Sequence, residues 1–322
     1  MRLLLSLLLL TVSALGQQLG HDDAVRLGEF YRLSAKIEDQ IWPGWSTVPA
    51  PVLLVTADTE FLTHYPVPPK EFTKVGDDVY ARRRQFSTHL LATFPAFNAT
   101  AVIVIGGPRD TEAKTSTPWL ITLMHEHFHQ LQNGQPGYYE GVKRLGLSGG
   151  DQSGMWMLNY PFPYENPKVT RAFAYLRDLL LDALQAGNDK EFRPRAEAYV
   201  RARQQELAQL GADDHKYLSF QLWQEGMARY TQIKAAEAAA EYQPTAEYKA
   251  LSDYESFSSY AGHARSDTLS ELKKADLAQW KRTFFYSFGG SEGLFLDRWN
   301  PQWKDKYFTN PFSTDAYFDL KH

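Results

Sequence analysis

The 322-residue chain contains no cysteine. No disulfide can staple the fold and no lipid can be attached through an N-terminal cysteine, so stability must come from a packed core. A chain of this length can bury one. Excess charge is also scarce: 34 Lys and Arg stand against 38 Asp and Glu, for a net charge of −4. That balance argues against nucleic acid as a partner. Long apolar runs are absent except at the start. There Met1-Arg2 precedes a leucine-rich run ending at Leu10, with small residues at Ala14 and Gly16. This pattern reads as a secretory signal peptide over 1–16, with Gln17 as the new N-terminus. The run is shorter than the ~20 residues a spanning helix needs. The expectation is therefore a secreted or periplasmic protein, free of the membrane once processed. Aromatic residues are plentiful, at 8 Trp, 18 Tyr and 19 Phe. They suit a large core between helices, or a cleft for sugars or peptides. Asn98-Ala99-Thr100 is a glycosylation sequon if the source is eukaryotic.

The most informative stretch runs from Thr117 to Gln132 and contains His125-Glu126-His127-Phe128-His129, a match to H-E-x-x-H. On a helix, positions i and i+4 lie one above the other, so His125 and His129 can share one metal ion. Glu126 follows about 100° round the helix, where a carboxylate can reach a water on the metal without ligating it. The segment has helical character. Thr117 suits an N-cap and Pro118 the first helical position. Leu120, Ile121, Met124, Phe128 and Leu131 form a stripe of helical period, and Asn133-Gly134 is a natural stop. The rival is a strand, which would align His125, His127 and His129 as a different metal cluster. The apolar residues do not alternate, so the helix is favoured, and His127 is then a packed or surface residue.

Before this helix, short runs at 51–56, 60–65, 79–86 and 100–105 have strand character, and 21–41 reads as an amphipathic helix. Residues 135–168 read as a long loop rich in Gly, Asn, Pro and aromatics. Helices are expected at about 169–186, 190–210, 214–241, 246–260 and 268–287, with a break at Gly289-Gly290 and a short helix at 291–298. The layout is α+β: a small mixed sheet with the metal helix over 17–134, then a mainly helical lobe over 135–322 of the same unit.

Two His cannot complete a catalytic zinc site. The metzincin continuation is absent, because Gln132 and Gln135 occupy its Gly and His places. The best third ligand is Glu225, in Trp223-Gln-Glu225-Gly226-Met-Ala228-Arg-Tyr230. Gly226 inside a helix costs about 1 kcal/mol relative to Ala, and close approach to the metal helix would explain it. Glu140, Asp151, Glu165 and Glu255 are the alternatives. These segments resemble the gluzincins, H-E-x-x-H metallopeptidases whose third ligand is a glutamate on a later helix, over about residues 100–290. The resemblance implies a zincin-like fold, a mixed sheet above the metal helix with a helical lower lobe and Zn²⁺ at the floor of the cleft between them. Two departures stand out. Arg229 occupies the place of a thermolysin-type Asp, and the G-x-M-E-N sequence of the aminopeptidases is missing. The resemblance also implies an oxyanion donor some sixty residues beyond Glu225, for which Tyr286 is the match, with Tyr230, Tyr260 and His263 as alternatives. The expected activity is hydrolysis of a peptide or protein substrate by a zinc-activated water, with Glu126 as base. The strand at 101–105 is a place for an extended peptide to pair. A zinc hydrolase of a non-peptide substrate and a cell-surface binding protein on the same scaffold are the other readings.

Overall fold

The computed structural model describes residues 18–320. The expected signal peptide, residues 1–16, and the expected new N-terminus at Gln17 lie outside them. The described chain opens with α1 (His21–Ile41). Six strands follow: β1 (Val52–Val55), β2 (Thr59–Thr63), β3 (Thr73–Gly76), β4 (Val79–Arg83), β5 (Leu91–Phe94) and β6 (Val102–Gly106). Helices α2 (Ser116–Asn133), α3 (Tyr138–Arg144), α4 (Trp156–Asn159), α5 (Pro167–Leu184), α6 (Asp189–Leu207) and α7 (Ala212–Gln221) come next. A π-helical turn, Leu222–Gly226, leads into α8 (Met227–Ala238), α9 (Ala246–Lys249), α10 (Phe257–Lys274), α11 (Leu277–Trp280) and α12 (Phe284–Trp299). The architecture is α+β, with the sheet early and helices after it.

The strands form one mixed sheet in the order β3-β4-β2-β1-β6-β5. Only β1 and β6 run parallel; the other neighbours are antiparallel. Both faces are covered, which is why β1 and β6 read as continuous apolar runs. Side chains alternate between the faces. Val52, Leu54, Phe61, Ile103 and Ile105 join the main core with the helices. Leu53, Val55, Leu62, Val102 and Val104 meet a smaller core closed by Tyr65, Phe72, Phe86, Phe94 and Phe97. Helix α2 packs against β5 and β6 on one side and against α1 and α8 on the other. It is therefore buried along nearly its whole length.

Several expectations need correction. Strands β3 and β5 went unread, being short and half-exposed. Strand β6 pairs with β1 and with β5, so it has no free edge to offer a peptide. The sheet edge beside α2 is β5. Thr117 is not the N-cap: the helix starts at Ser116, with Thr115 in extended conformation before it. The Thr117 hydroxyl instead donates to the Glu255 carbonyl at 2.5 Å. The 135–168 stretch holds α3 and α4, and the helix expected over 246–260 is only the short α9 followed by the start of α10. Most plainly, Gly289 and Gly290 do not break a helix. They lie inside α12, where close packing offsets their poor helix propensity.

Candidate metal centre

The helical reading of Thr117–Gln132 places His125 and His129 one turn apart, with ring centroids 5.0 Å from each other. The π-helical turn brings Glu225 to them. An inserted residue in a helix re-aims its side chains, and such turns recur at functional sites. Here Glu225 Oε2 lies 3.3 Å from His129 Nε2 and 3.7 Å from His125 Nε2. One donor atom from each of the three residues lies within 4.8 Å of the others, so His125, His129 and Glu225 form a group that can hold a metal ion. The alternatives for the third position stand elsewhere. Glu140 and Glu165 are exposed, Asp151 caps its own turn through Ser153 and Trp156, and Glu255 accepts from Ser259.

Zinc fits this donor set on two grounds. Two imidazole nitrogens and one carboxylate oxygen make the ligand set of a catalytic zinc with an open position. Tetrahedral ligands at about 2.0–2.1 Å from an ion stand roughly 3.3–3.4 Å apart, close to the 3.3 and 3.7 Å seen here.

Gln132 orients one ligand. Its Nε2 donates to the carbonyls of Trp223 and Gln224 at 3.0 and 3.2 Å, so its Oε1 must face His129 Nδ1, 2.7 Å away. An amide oxygen only accepts, so Nδ1 carries the proton and Nε2 faces Glu225. Gln132 Nε2 also donates to the Tyr307 hydroxyl at 2.8 Å, which ties α2, the π turn and the C-terminal segment together. Among the described residues His125 has no such support, and its buried Nδ1 has no partner. Burial disfavours charge on His129, but Glu225 and then Glu126 outweigh it and push the imidazole up to about 9. Burial likewise opposes charge on Glu225, yet His129, His125 and Arg282 hold its carboxyl well below the usual range.

The residue between the ligands has another task. His127 is buried, stacks on Trp45 at 5.1 Å, and bonds Gln130 Oε1 at 2.8 Å and Glu38 Oε2 at 3.2 Å. It is a packed residue of the α1–α2 interface, on the far side from Glu225. Glu126 is buried to 5 % exposure, with Thr93 of β5 donating to its Oε2 at 2.7 Å. Tyr286 of α12 stacks parallel to His125 at 6.1 Å. Burial pushes its phenol above the ordinary range, with Glu225 adding to the effect. Of the alternatives to Tyr286, Tyr230 is buried with its hydroxyl on Asp297, and His263 pairs with Asp267 on α10. Tyr260 alone shares the cleft with Tyr286.

That cleft has a volume of about 910 Å³ and is lined by His125, Glu126, Leu91 of β5, the 110–114 loop, Arg229 and Tyr286 among others. The aromatic residues mostly serve the core, in a cluster around Trp42, Phe128, Trp223, Trp303 and Tyr307. Gly226 does allow a close approach, but not to α2. A Cβ on it would meet Gly289 Cα at 2.7 Å, so its neighbour is α12. Sequence reasoning missed Thr93, Gln132 and Arg282. Gln132, three residues after His129, and Arg282, four residues before Tyr286, carried a helical-spacing signal; Thr93 had none. Comparison with protein-family models, with curated proteins and with solved structures finds no match to this chain.

Proposed function

We propose that the protein is a zinc-dependent metallopeptidase of the gluzincin type, with a zincin-like fold. One observation carries this reading. A glutamate distant in sequence meets both imidazoles of the H-E-x-x-H helix, and the motif's own glutamate faces the same open cleft. Bound zinc supplies a Lewis acid that polarises a carbonyl and brings the pKa of a water to about 7. The remaining work falls to side chains of this chain. Glu126 takes the proton of the attacking water and returns it to the leaving amine. Thr93 holds one oxygen of that carboxylate, which leaves the other for the proton. Tyr286 donates its hydroxyl to the carbonyl oxygen as charge develops there. Strand β5, an edge strand whose Leu91 lines the cleft, offers backbone groups to an extended substrate. Export is part of the proposal, and sequencing the N-terminus of the mature protein tests it; Gln17 is expected.

Digestion of a peptide library with zinc, with a chelator, and with Glu126→Gln tests the activity. Cleavage by the zinc-loaded protein alone is expected. Cleavage of esters or glycosides but of no peptide would replace it with a non-peptide hydrolase. Cleavage of nothing, with zinc still bound, would leave a binding protein.

A further inference from the structure

Arg282 belongs to no motif, yet it touches two parts of the site at once. Its Nη1 donates to the Tyr286 hydroxyl at 2.9 Å and lies 3.4 Å from Glu225 Oε1. The second distance is that of an ion pair rather than a short hydrogen bond. The guanidinium carbon sits 5.2 Å from the Tyr286 ring centroid. The arginine follows Lys281, whose backbone has φ 50 and ψ −128, a conformation that side-chain-bearing residues rarely adopt. That turn also sets Trp280 and Thr283 in the wall of the cleft.

Two consequences follow from donor and acceptor counting. Glu225 Oε1 is turned toward Arg282, so Oε2 is the oxygen left facing the two imidazoles. A phenol oxygen that accepts from a guanidinium keeps its own hydrogen free to point elsewhere. Among the described residues the Tyr286 hydroxyl has no hydrogen-bond partner besides Arg282, and Tyr286 lines the cleft with His125 and Glu126. We propose that Arg282 is a positioning residue that fixes Glu225 as a one-oxygen ligand and turns the Tyr286 hydroxyl into the cleft as a hydrogen-bond donor. This rests on the metallopeptidase reading for the use made of Tyr286, but not for the ligand geometry. Lysine replaces arginine only in part: its ammonium restores the charge beside Glu225 but not the rigid guanidinium that lies 5.2 Å from the Tyr286 ring centroid.

The test compares wild type with Arg282→Met, Arg282→Lys, Tyr286→Phe and the Arg282→Met/Tyr286→Phe double variant. Zinc affinity is measured by chelator competition, and the visible spectrum is recorded with cobalt(II) in place of zinc. Arg282→Met should weaken zinc binding by about 10–100-fold, the usual effect of losing a ligand's partner, and should change the cobalt spectrum. Arg282→Lys should recover part of the zinc affinity, since a positive charge is restored beside Glu225. Tyr286→Phe should leave both metal readouts as in wild type. On a cleaved peptide, Arg282→Met and Tyr286→Phe should each lower kcat with KM little changed, and the double variant should fall no further than the worse single. Wild-type zinc affinity and cobalt spectrum in folded Arg282→Met would overturn the proposal, as would strictly additive losses in kcat. If the wild-type protein cleaves no peptide, the proposed function fails, while the zinc and cobalt readouts still decide the role of Arg282.

Discussion

His125, His127 and His129 share five residues of one helix and have different neighbours. The outer two face Glu225, and the middle one faces Trp45 and Glu38. Replacing either outer histidine by Ala should abolish the bound zinc, because two ligands hold the ion weakly. His127→Ala should keep one zinc per chain but lower stability by about 1–3 kcal/mol, the cost of leaving a buried polar partner unsatisfied. Metal analysis and urea unfolding separate the two outcomes, and zinc loss in His127→Ala alone would reverse the assignment. Glu126→Gln should retain zinc and lose activity by about 10²–10⁴-fold, the worth of a general base. These residues were legible because one helical turn carries three of them, and local period is what a sequence displays. Glu225 was legible as a demand for a third ligand, together with the glycine beside it and the resemblance of its segment. Thr93 and the tie of Arg282 to Glu225 were not, since each gains its meaning from a partner dozens of residues away.

At the scale of elements, the π turn and α12 set the distance between Glu225 and Tyr286. Gly226 and Gly289 bring the two backbones together, and a Cβ on either would approach the other's Cα at 2.7 or 2.5 Å. Backbone atoms at that distance cannot step aside singly. Gly226→Ala should therefore destabilise the fold by about 1–3 kcal/mol, the usual cost of overpacking, and weaken zinc binding with it. Gly262→Ala is the control: it lies within α10 and a Cβ there meets nothing within 4 Å. It should stabilise by about 0.4–1 kcal/mol. Urea midpoints of the two variants should move in opposite directions. The same contacts explain why α12 was misread. Two adjacent glycines read as a helix break, whereas here they are the surface on which α8 and the π turn pack. Strand β5 was missed for a related reason: its identity comes from pairing with β6, not from an alternating pattern of its own.

Over the whole molecule, the C-terminal segment closes the helical part. Arg203 of α6 donates to buried Glu292 and to Asp315, and its guanidinium lies 4.0 Å from the Phe318 ring centroid. Burial opposes charge on Asp315, but Arg203 and His215 hold its carboxyl far below the usual range. A depressed carboxyl contributes stability that is fully present above its unfolded value, about 3.9, and is lost as pH falls toward the folded one. Asp315→Asn should thus lower the urea midpoint at pH 7, and the gap to wild type should narrow steadily below about pH 4. A gap that does not vary with pH would mean that the carboxylate's charge contributes nothing to stability. The α+β layout was legible because sheet-like and helix-like periods occupy successive parts of the chain. The fastening of its end was not, since Arg203, Glu292 and Asp315 lie far apart in the chain and no local pattern pairs them.

The most direct measurement is anomalous diffraction at the zinc edge from crystals of the zinc-loaded protein. The expected result is a single peak about 2.0–2.2 Å from the donor atoms of His125, His129 and Glu225. A peak at His127, or a zinc held by the two histidines with Glu225 turned away, would contradict it.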